Sequence, residues 1–324
     1  MTRILIVRTS SLGDLVHMLP AMSDIASHVP DAKIDWLAEE AFADVPRWHP
    51  AIDDVIPVAH RRWRKSWWSE QTRAERHALR DRLANECYDI VLDMQALMKS
   101  AWLVRQAHGT RHGLDWCSAR EPLASLFYDV RHRVEFWQPA VVRQRLLASL
   151  ALGYRCEGEP NFGLQAHVLA RQAAAAAAQE QPYVSIMPSA SRDDKLWPAD
   201  DWREVMRRLG RAGLGMKLLA GNAAETARAN ELIADIEGAE VMPRMRLTEV
   251  MTLLAGAKIM IGLDSGLTHL SAALGRPTIG IYRASTPVRT PLTGSSLNFS
   301  LGDRGAAPSL NAVLAATDQA LAAT

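Results

Sequence analysis

Cysteine is scarce: Cys87, Cys117 and Cys156 are the whole complement of the 324-residue chain. Three widely spaced thiols, odd in number, make neither a disulfide framework nor a zinc spacing, and they point to a reducing compartment. No run of eighteen or more apolar residues occurs, so no membrane-spanning helix is expected. The apolar opening, residues 1–7, is too short for a signal peptide and is better explained as a first strand. Charge of one sign is not in excess either. Lys+Arg number 37 and Asp+Glu 36, a formal net charge of +1, which argues against a general nucleic-acid binder. Three catalytic signatures are missing. No Gly-x-Gly-x-x-Gly follows either early strand, no Walker A sequence is present, and there is no Gly-x-Ser-x-Gly elbow. Dinucleotide-binding, P-loop kinase and α/β-hydrolase readings fall with them. No His, Asp and Glu cluster suits a metal, so no metal or other cofactor is expected.

What remains is strongly patterned. Residues 258–263 form an apolar run that reads as a buried strand. Asp264 and Ser265 then offer N-cap chemistry, and Leu267, Leu270, Ala273 and Leu274 share one helical face ending at Gly275. A strand feeding a helix this abruptly leaves free N–H groups and a positive dipole end, a site for an anion such as phosphate. Gly266 allows a ligand close to the backbone. An ordinary capped turn would look the same.

The rest alternates strands with helices, which means α/β domains with parallel sheets. Strands are expected at 3–8, 34–37, 55–58, 88–93, 184–187, 216–219 and 278–282. Helices are expected at 15–26, 75–86, 98–107, 141–152, 202–211, 224–236, 247–255 and 308–323. The chain divides into an N-terminal domain 1–165, a linker 166–182 holding an alanine-rich helix, a C-terminal domain 183–307, and a closing helix 308–324.

Ligands of open parallel sheets sit at the carboxyl ends of strands. Four loops qualify: 9–14, 189–195, 221–225 and 264–269. They offer Asp14 beside Gly13 in the first half, and Lys195, Glu225, Asp264 and His269 in the second. Phosphate, ribose and sugar hydroxyls are groups such a set would hold. Asp14 could equally cap the helix 15–26. A separate stretch, His60-Arg61-Arg62-Trp63-Arg64-Lys65-Ser66-Trp67-Trp68, concentrates cations and tryptophans in a chain of near-zero charge. Arginine forks bind carboxylate and phosphate, Trp with Arg suits a membrane interface, and a solvated basic loop is the plain alternative.

Seven segments taken together resemble the lipopolysaccharide heptosyltransferases of glycosyltransferase family nine. They are Thr9-Ser10-Ser11-Leu12-Gly13-Asp14, Asp35-Trp36-Leu37-Ala38-Glu39-Glu40, Arg61-Arg62-Trp63-Arg64-Lys65, His112-Gly113-Leu114-Asp115-Trp116, Ala119-Arg120-Glu121-Pro122-Leu123-Ala124, Arg192-Asp193-Asp194-Lys195-Leu196-Trp197-Pro198 and Asp264-Ser265-Gly266-Leu267-Thr268-His269. The third and fifth favour the first heptosyltransferase over the second. The resemblance implies a GT-B fold: two Rossmann-like domains facing across a cleft, with the last helix packing back toward the N-terminal domain. It implies inverting transfer of L-glycero-D-manno-heptose from ADP-heptose to the 3-deoxy-manno-octulosonic acid (Kdo) of Kdo2-lipid A. Asp14 is then the base. Ser189, Ser191, Lys195, Glu225, Met245, Asp264, Ser265, Gly266 and His269 line the donor site. Ser10, Gly13, Arg61, Arg62, Arg64, Lys65 and Arg120 meet the anionic acceptor. A cytoplasmic enzyme, peripheral on the cytoplasmic face of the inner membrane and touching its anionic surface, follows. Two segments depart from the family pattern: Ser189-Ala190-Ser191, and Arg283-Ala284-Ser285-Thr286-Pro287, where relatives often read Gly-Pro-Thr. The rival from another class is a non-catalytic sugar-nucleotide or lipopolysaccharide-binding protein; another hexosyltransferase of the same fold is a third reading.

Overall fold

The computed structural model describes residues 1–178, 180–190, 192–295 and 297–324. The chain forms two compact units, Met1–Gly163 and Leu164–Thr324.

In the first unit, β1 (Thr2–Val7), β2 (Ala32–Glu39), β3 (Asp54–Val58), β4 (Cys87–Asp93), β5 (His108–Leu114) and β6 (Val130–His132) form one parallel sheet in the order β3-β2-β1-β4-β5-β6. Its helices are α1 (Leu12–Val16), α2 (Leu19–His28), α3 (Asp44–Arg47), α4 (His60–Lys65), α5 (Glu70–Asn85), α6 (Met98–Val104) and α7 (Ala140–Leu152). The central strand reads Ile4-Leu5-Ile6-Val7, all fully buried, as a strand covered on both faces must be. On one face Leu79 and Leu83 of α5 join Leu103 and Val104 of α6 in a common core with Leu5, Val7, Leu37 and Ile56.

The second unit repeats the plan. Strands β7 (Tyr183–Met187), β8 (Gly215–Leu218), β9 (Ala239–Val241), β10 (Met260–Leu263), β11 (Thr278–Ile281) and β12 (Asn298–Leu301) lie in the order β12-β11-β10-β7-β8-β9, all parallel. Both sheets thus have the order 3-2-1-4-5-6 of nucleotide-binding doubly wound folds, which reverses direction at the first strand. The helices are α8 (Gln165–Ala177), α9 (Ala199–Arg211), α10 (Ala223–Ile233), α11 (Leu247–Gly256), α12 (Gly266–Ala273) and α13 (Leu310–Ala322).

Three expectations change. The helix foreseen at 15–26 is two helices, because Pro20 has no N–H to continue the ladder and instead opens α2 at its second position. The basic stretch is not a loop: His60 to Lys65 is helix α4, with Trp63 buried. Residues 166–182 hold α8, which packs on α11 and donates from Arg171 Nε to the Thr252 carbonyl at 3.2 Å within the second unit. The final helix α13 buries Val313, Ala316 and Ala320 in the second unit's core, and Asp318 pairs with Arg208 of α9 at 2.6 Å.

Candidate active site

Each unit gathers its expected residues at the carboxyl ends of its own strands. In the first, β1 runs into a turn clamped by β4. Thr9 is fully buried, and its N–H and hydroxyl both donate to Gln95 Oε1, at 3.0 and 2.9 Å. Gln95 is fixed in turn by Asp93, whose Oδ1 accepts the N–H groups of Gln95 (2.8 Å) and Ala96 (3.0 Å) and whose Oδ2 accepts the Tyr128 hydroxyl (2.8 Å). Ala96 is held at φ +53°, a left-handed conformation that side chains other than glycine rarely adopt.

This turn delivers Asp14 on the first turn of α1, two residues past Leu12 and one past half-buried Gly13. Asp14 Oδ2 accepts the N–H and hydroxyl of Ser11 at 2.8 and 2.9 Å, and Oδ1 lies 2.7 Å from Arg8 Nη2. Burial alone would raise the Asp14 pKa. The Arg8 guanidinium, the Ser11 N–H, nearby His17 and the Ser11 hydroxyl outweigh it and hold the carboxylate at about 2. Asp14 therefore carries its charge throughout the neutral range while 39% of its side chain stays open to solvent. Its capping partner is Ser11 of α1, not the helix expected at 15–26.

Beside Ser10 the unit opens a cleft of about 880 Å³ between α5 and α6, closed on a third side by α4. Lys99 Nζ donates to Ser10 Oγ at 2.9 Å at one end. Burial lowers the Lys99 pKa; Glu39 and Asp14 oppose this, and Arg61 and Arg8 add to it. Arg61 and Arg64 line the cleft as expected, Arg61 lying over the Phe42 ring at 4.8 Å with its N–H donating to Glu39 Oε1 at 2.9 Å. Lys65 is exposed at the end of α4, and Arg120 is exposed one residue before Glu121, whose carboxylate accepts the Met98 N–H at 2.6 Å. Arg62 does something else. Its fork bonds Glu40 at 3.0 and 3.2 Å and Glu75 at 3.0 Å, and Trp63 Nε1 donates to Glu75 at 2.6 Å. Arg62 and Trp63 together hold the Glu75 pKa at about 2. Arg62 does not line the cleft.

In the second unit the strand–helix junction foreseen at residues 258–275 is present. Ser265 caps α12, accepting the Thr268 N–H at 3.4 Å, and Gly266 opens the helix. Thr268 Oγ1 donates to the Leu263 carbonyl at 2.6 Å. That close contact requires Gly262, where an added Cβ would lie 2.6 Å from Thr268 Oγ1 and 3.0 Å from Met187 Cβ. Asp264 is the centre of a closed cluster. Its Oδ2 accepts from Lys195 Nζ (2.7 Å) and Ser285 Oγ (2.5 Å), and its Oδ1 lies 3.1 Å from His269 Nε2. Burial would raise its pKa, but His269, Lys195 and Ser285 pull it well below the carboxylate range.

Glu225 stands apart from that cluster, its carboxylate accepting the Gly221 N–H and the Asn222 amide, both at 2.7 Å. Ser189 is fully buried, and its hydroxyl finds no partner among the described residues. Met245 is half-buried in the segment before α11. Ser191 lies outside the described residues. Ser285 was not foreseen, although it sits in the segment that departs from the family pattern. The same segment supplies Arg283, which lines a second cleft of about 490 Å³ with Arg192 and Arg304.

The profile of "Glycosyltransferase family 9 (heptosyltransferase)" matches residues 76–317. The chain belongs to glycosyltransferase family 9. This family 9 member is 46% identical over 287 residues to lipopolysaccharide heptosyltransferase 1 of Salmonella typhimurium, covering 88% of this chain and 89% of that one. It is 43% identical over 296 residues to the Pseudomonas aeruginosa protein of the same name, covering 91% and 82%. The solved Escherichia coli heptosyltransferase WaaC with ADP matches at TM-score 0.89 and 41% identity, covering 98% of this chain and 100% of that one. WaaC with ADP-2-deoxy-2-fluoro heptose matches at 0.86 and 40%, covering 98% and 99%. This family 9 chain is a glycosyltransferase of the GT-B class.

Proposed function

We propose that the chain transfers L-glycero-D-manno-heptose from ADP-heptose to the Kdo of Kdo2-lipid A, with inversion, in lipopolysaccharide inner-core synthesis. One observation carries this reading: an ionised Asp14 adjoins a strongly cationic cleft in a chain 46% identical to a heptosyltransferase 1. The relative holding an ADP-heptose analogue supports the donor.

In this mechanism Asp14 takes the proton of the acceptor hydroxyl as its oxygen bonds to the anomeric carbon and the bond to ADP breaks. A carboxylate at about 2 is a weak base, so the proton leaves late, once the sugar has become cation-like. Charge building on ADP is met by Lys195 and the N-terminus of α12 at Ser265 and Gly266. Asp264 holds donor hydroxyls, with His269 and Ser285 fixing its orientation; Ser189, Glu225 and Met245 complete the donor surroundings. Ser10, Gly13, Arg61, Arg64, Lys65 and Arg120 receive the acceptor, and Arg62 supports them through Glu40 and Glu75. No metal is obligatory in this reading, because Lys195 supplies the cation; turnover undiminished by EDTA is the expected outcome.

The enzyme works as a peripheral protein at the cytoplasmic face of the inner membrane. No helix among the described residues is long and apolar enough to cross a membrane. Trp67 and Trp68 are 49% and 85% exposed, whereas Trp63 is core. Leu123 and Leu126, 53% and 62% exposed, fall on one side of a 3-10 turn, Pro122–Phe127. Trp67 lines the cationic cleft, and exposed apolar groups together with such cations suit an anionic interface.

ADP release from ADP-heptose, with Kdo2-lipid A present and absent, tests the function. Acceptor-dependent release with a heptose-sized mass gain on the acceptor supports it. Release that ignores the acceptor, or binding without product, refutes it.

A further inference from the structure

Helix α5 has a face that the transfer chemistry leaves unused. Thr72, Leu79 and Leu83 bury one side. Next to it stand Arg73, Arg76, His77 and Arg80, spaced i, i+3, i+4, i+7 and therefore on one side of the helix. All four line the cleft. The facing wall repeats the spacing with Lys99, Trp102, Leu103 and Gln106. Leu79 and Leu103, 8% and 2% exposed, form the floor. Helix α5 leads into the amino end of β4 and α6 leaves its carboxyl end, so both helices start at the edge of the sheet that carries Ser10 and Asp14. From Arg73 to Arg80 the stripe runs about 10 Å away from that edge, at about 1.5 Å per residue.

The stripe is electrostatically unfinished. Among the described residues no carboxylate pairs with Arg73 or Arg76. Arg76 lies over the Trp67 ring at 4.2 Å. Arg80 meets Asp81 at 3.7 Å with both side chains more than half exposed. The acidic residue on the cleft wall is Glu39, which already accepts the Arg61 N–H. Arg80 Nη2 donates to His77 Nδ1 at 3.0 Å, which satisfies that pair; the arginines at 73, 76 and 80, three and four residues apart, repel one another, and an anion joining them relieves the repulsion. Trp67 and Trp102, 49% and 53% exposed, flank these cations.

We infer that this outer half of the cleft is a phosphomonoester subsite that reads a phosphate on the glucosamine backbone of the acceptor glycolipid, while the Ser10–Lys99 end takes the Kdo carboxylate. The inference rests on the acceptor reading above. Guanidinium forks engage phosphate oxygens two at a time, and indole faces accept the apolar atoms next to them. A phosphate-free Kdo acceptor reaches the inner end alone.

The test compares two detergent-free acceptors: O-deacylated Kdo2-lipid A bearing both phosphates, and a Kdo disaccharide glycoside bearing none. For the wild type the phosphorylated acceptor has the lower KM. In Arg73→Gln/Arg76→Gln the ratio of the two KM values falls about a hundredfold, about tenfold for each charge-assisted contact, and calorimetry shows the same loss for the phosphorylated acceptor. Arg73→Lys/Arg76→Lys, which keeps charge without the fork, recovers part of the ratio. An unchanged ratio overturns the subsite. So does a double variant that loses only its binding to phosphatidylglycerol vesicles, because the stripe would then face lipid headgroups. A wild type that binds the phosphorylated acceptor in calorimetry but transfers no heptose refutes the proposed function and leaves the subsite standing.

Discussion

Asp14 and Asp264 both follow strands of their own parallel sheets, Asp14 on the first turn of the helix after β1 and Asp264 directly after β10, and both are held below the ordinary carboxylate pKa. Their surroundings differ. Asp264 is 11% exposed, with Lys195, Ser285 and His269 closed around it. Asp14 is 39% exposed, has Arg8 as its cation, and adjoins a cleft whose cations are far from balanced. A closed cluster holds a fixed orientation and suits a ligand bound the same way each time. An open carboxylate beside unneutralised cations suits a group that must lose a proton after a large anion has been drawn in. The second unit is pre-set, and the first is charged.

The sharpest way to break that contrast is Asp14→Asn. Turnover should fall at least ~10²-fold, as removal of a positioned base typically does, while ADP affinity holds. Near-normal turnover would leave Asp14 as a partner of Ser11 and Arg8 only. Next in size is Arg61→Gln/Arg64→Gln. At about 1 kcal/mol per cation near an anionic surface, the acceptor KM rises about thirtyfold, and the difference shrinks as salt is added. Loss of ADP affinity instead would assign α4 to the wrong substrate. Lys195→Ala should weaken ADP about tenfold, the scale of one charge-assisted contact, whereas Asp264→Ala should weaken ADP-heptose more than ADP. Equal losses for both ligands in calorimetry would contradict the sugar-contact role of Asp264.

The smallest effect at neutral pH belongs to Arg8→Gln. The folded pKa of Asp14 lies below its unfolded value near ~4, so its contribution to stability is complete above that value and is lost as the pH falls through about 2. Without Arg8 the folded value rises toward the unfolded one. The acid limb of the rate profile should move up with it, and neutral turnover should change little. An acid limb that stays in place would show that Ser11 and His17, not Arg8, set the charge.

Periodicity made much of this legible. The strands at β1, β4, β7 and β10 are apolar runs, and the Asp264–His269 junction has its cap and its apolar face in order. Strand β5, His-Gly-Thr-Arg-His-Gly-Leu, was hidden because two glycines and four polar residues leave no run to detect. The resemblance includes Arg62 among the acceptor cations; its pairing with Glu40 and Glu75, 22 and 13 residues away, is not legible in the sequence, because composition does not report pairings. Ser285 was missed for the same reason: its bond to Asp264 spans 21 residues. A run of alanines says helix but not which unit receives it, and that was decided by the contacts of α8 with α11.

The Arg62 fork has a consequence for selectivity. Helix α4 has six residues, too few to persist alone in water. Arg62 ties it to Glu40 on one side and Glu75 on the other, and Trp63 reaches the same Glu75. The backbone freedom of α4 is thus spent during folding, before any ligand arrives. Arg61 and Arg64 project from a fixed frame, so an anion they capture has only side chains left to immobilise. Binding then discriminates by the spacing of charges rather than by their number: a polyanion of equal charge and random geometry would be attracted to this surface without being held by it.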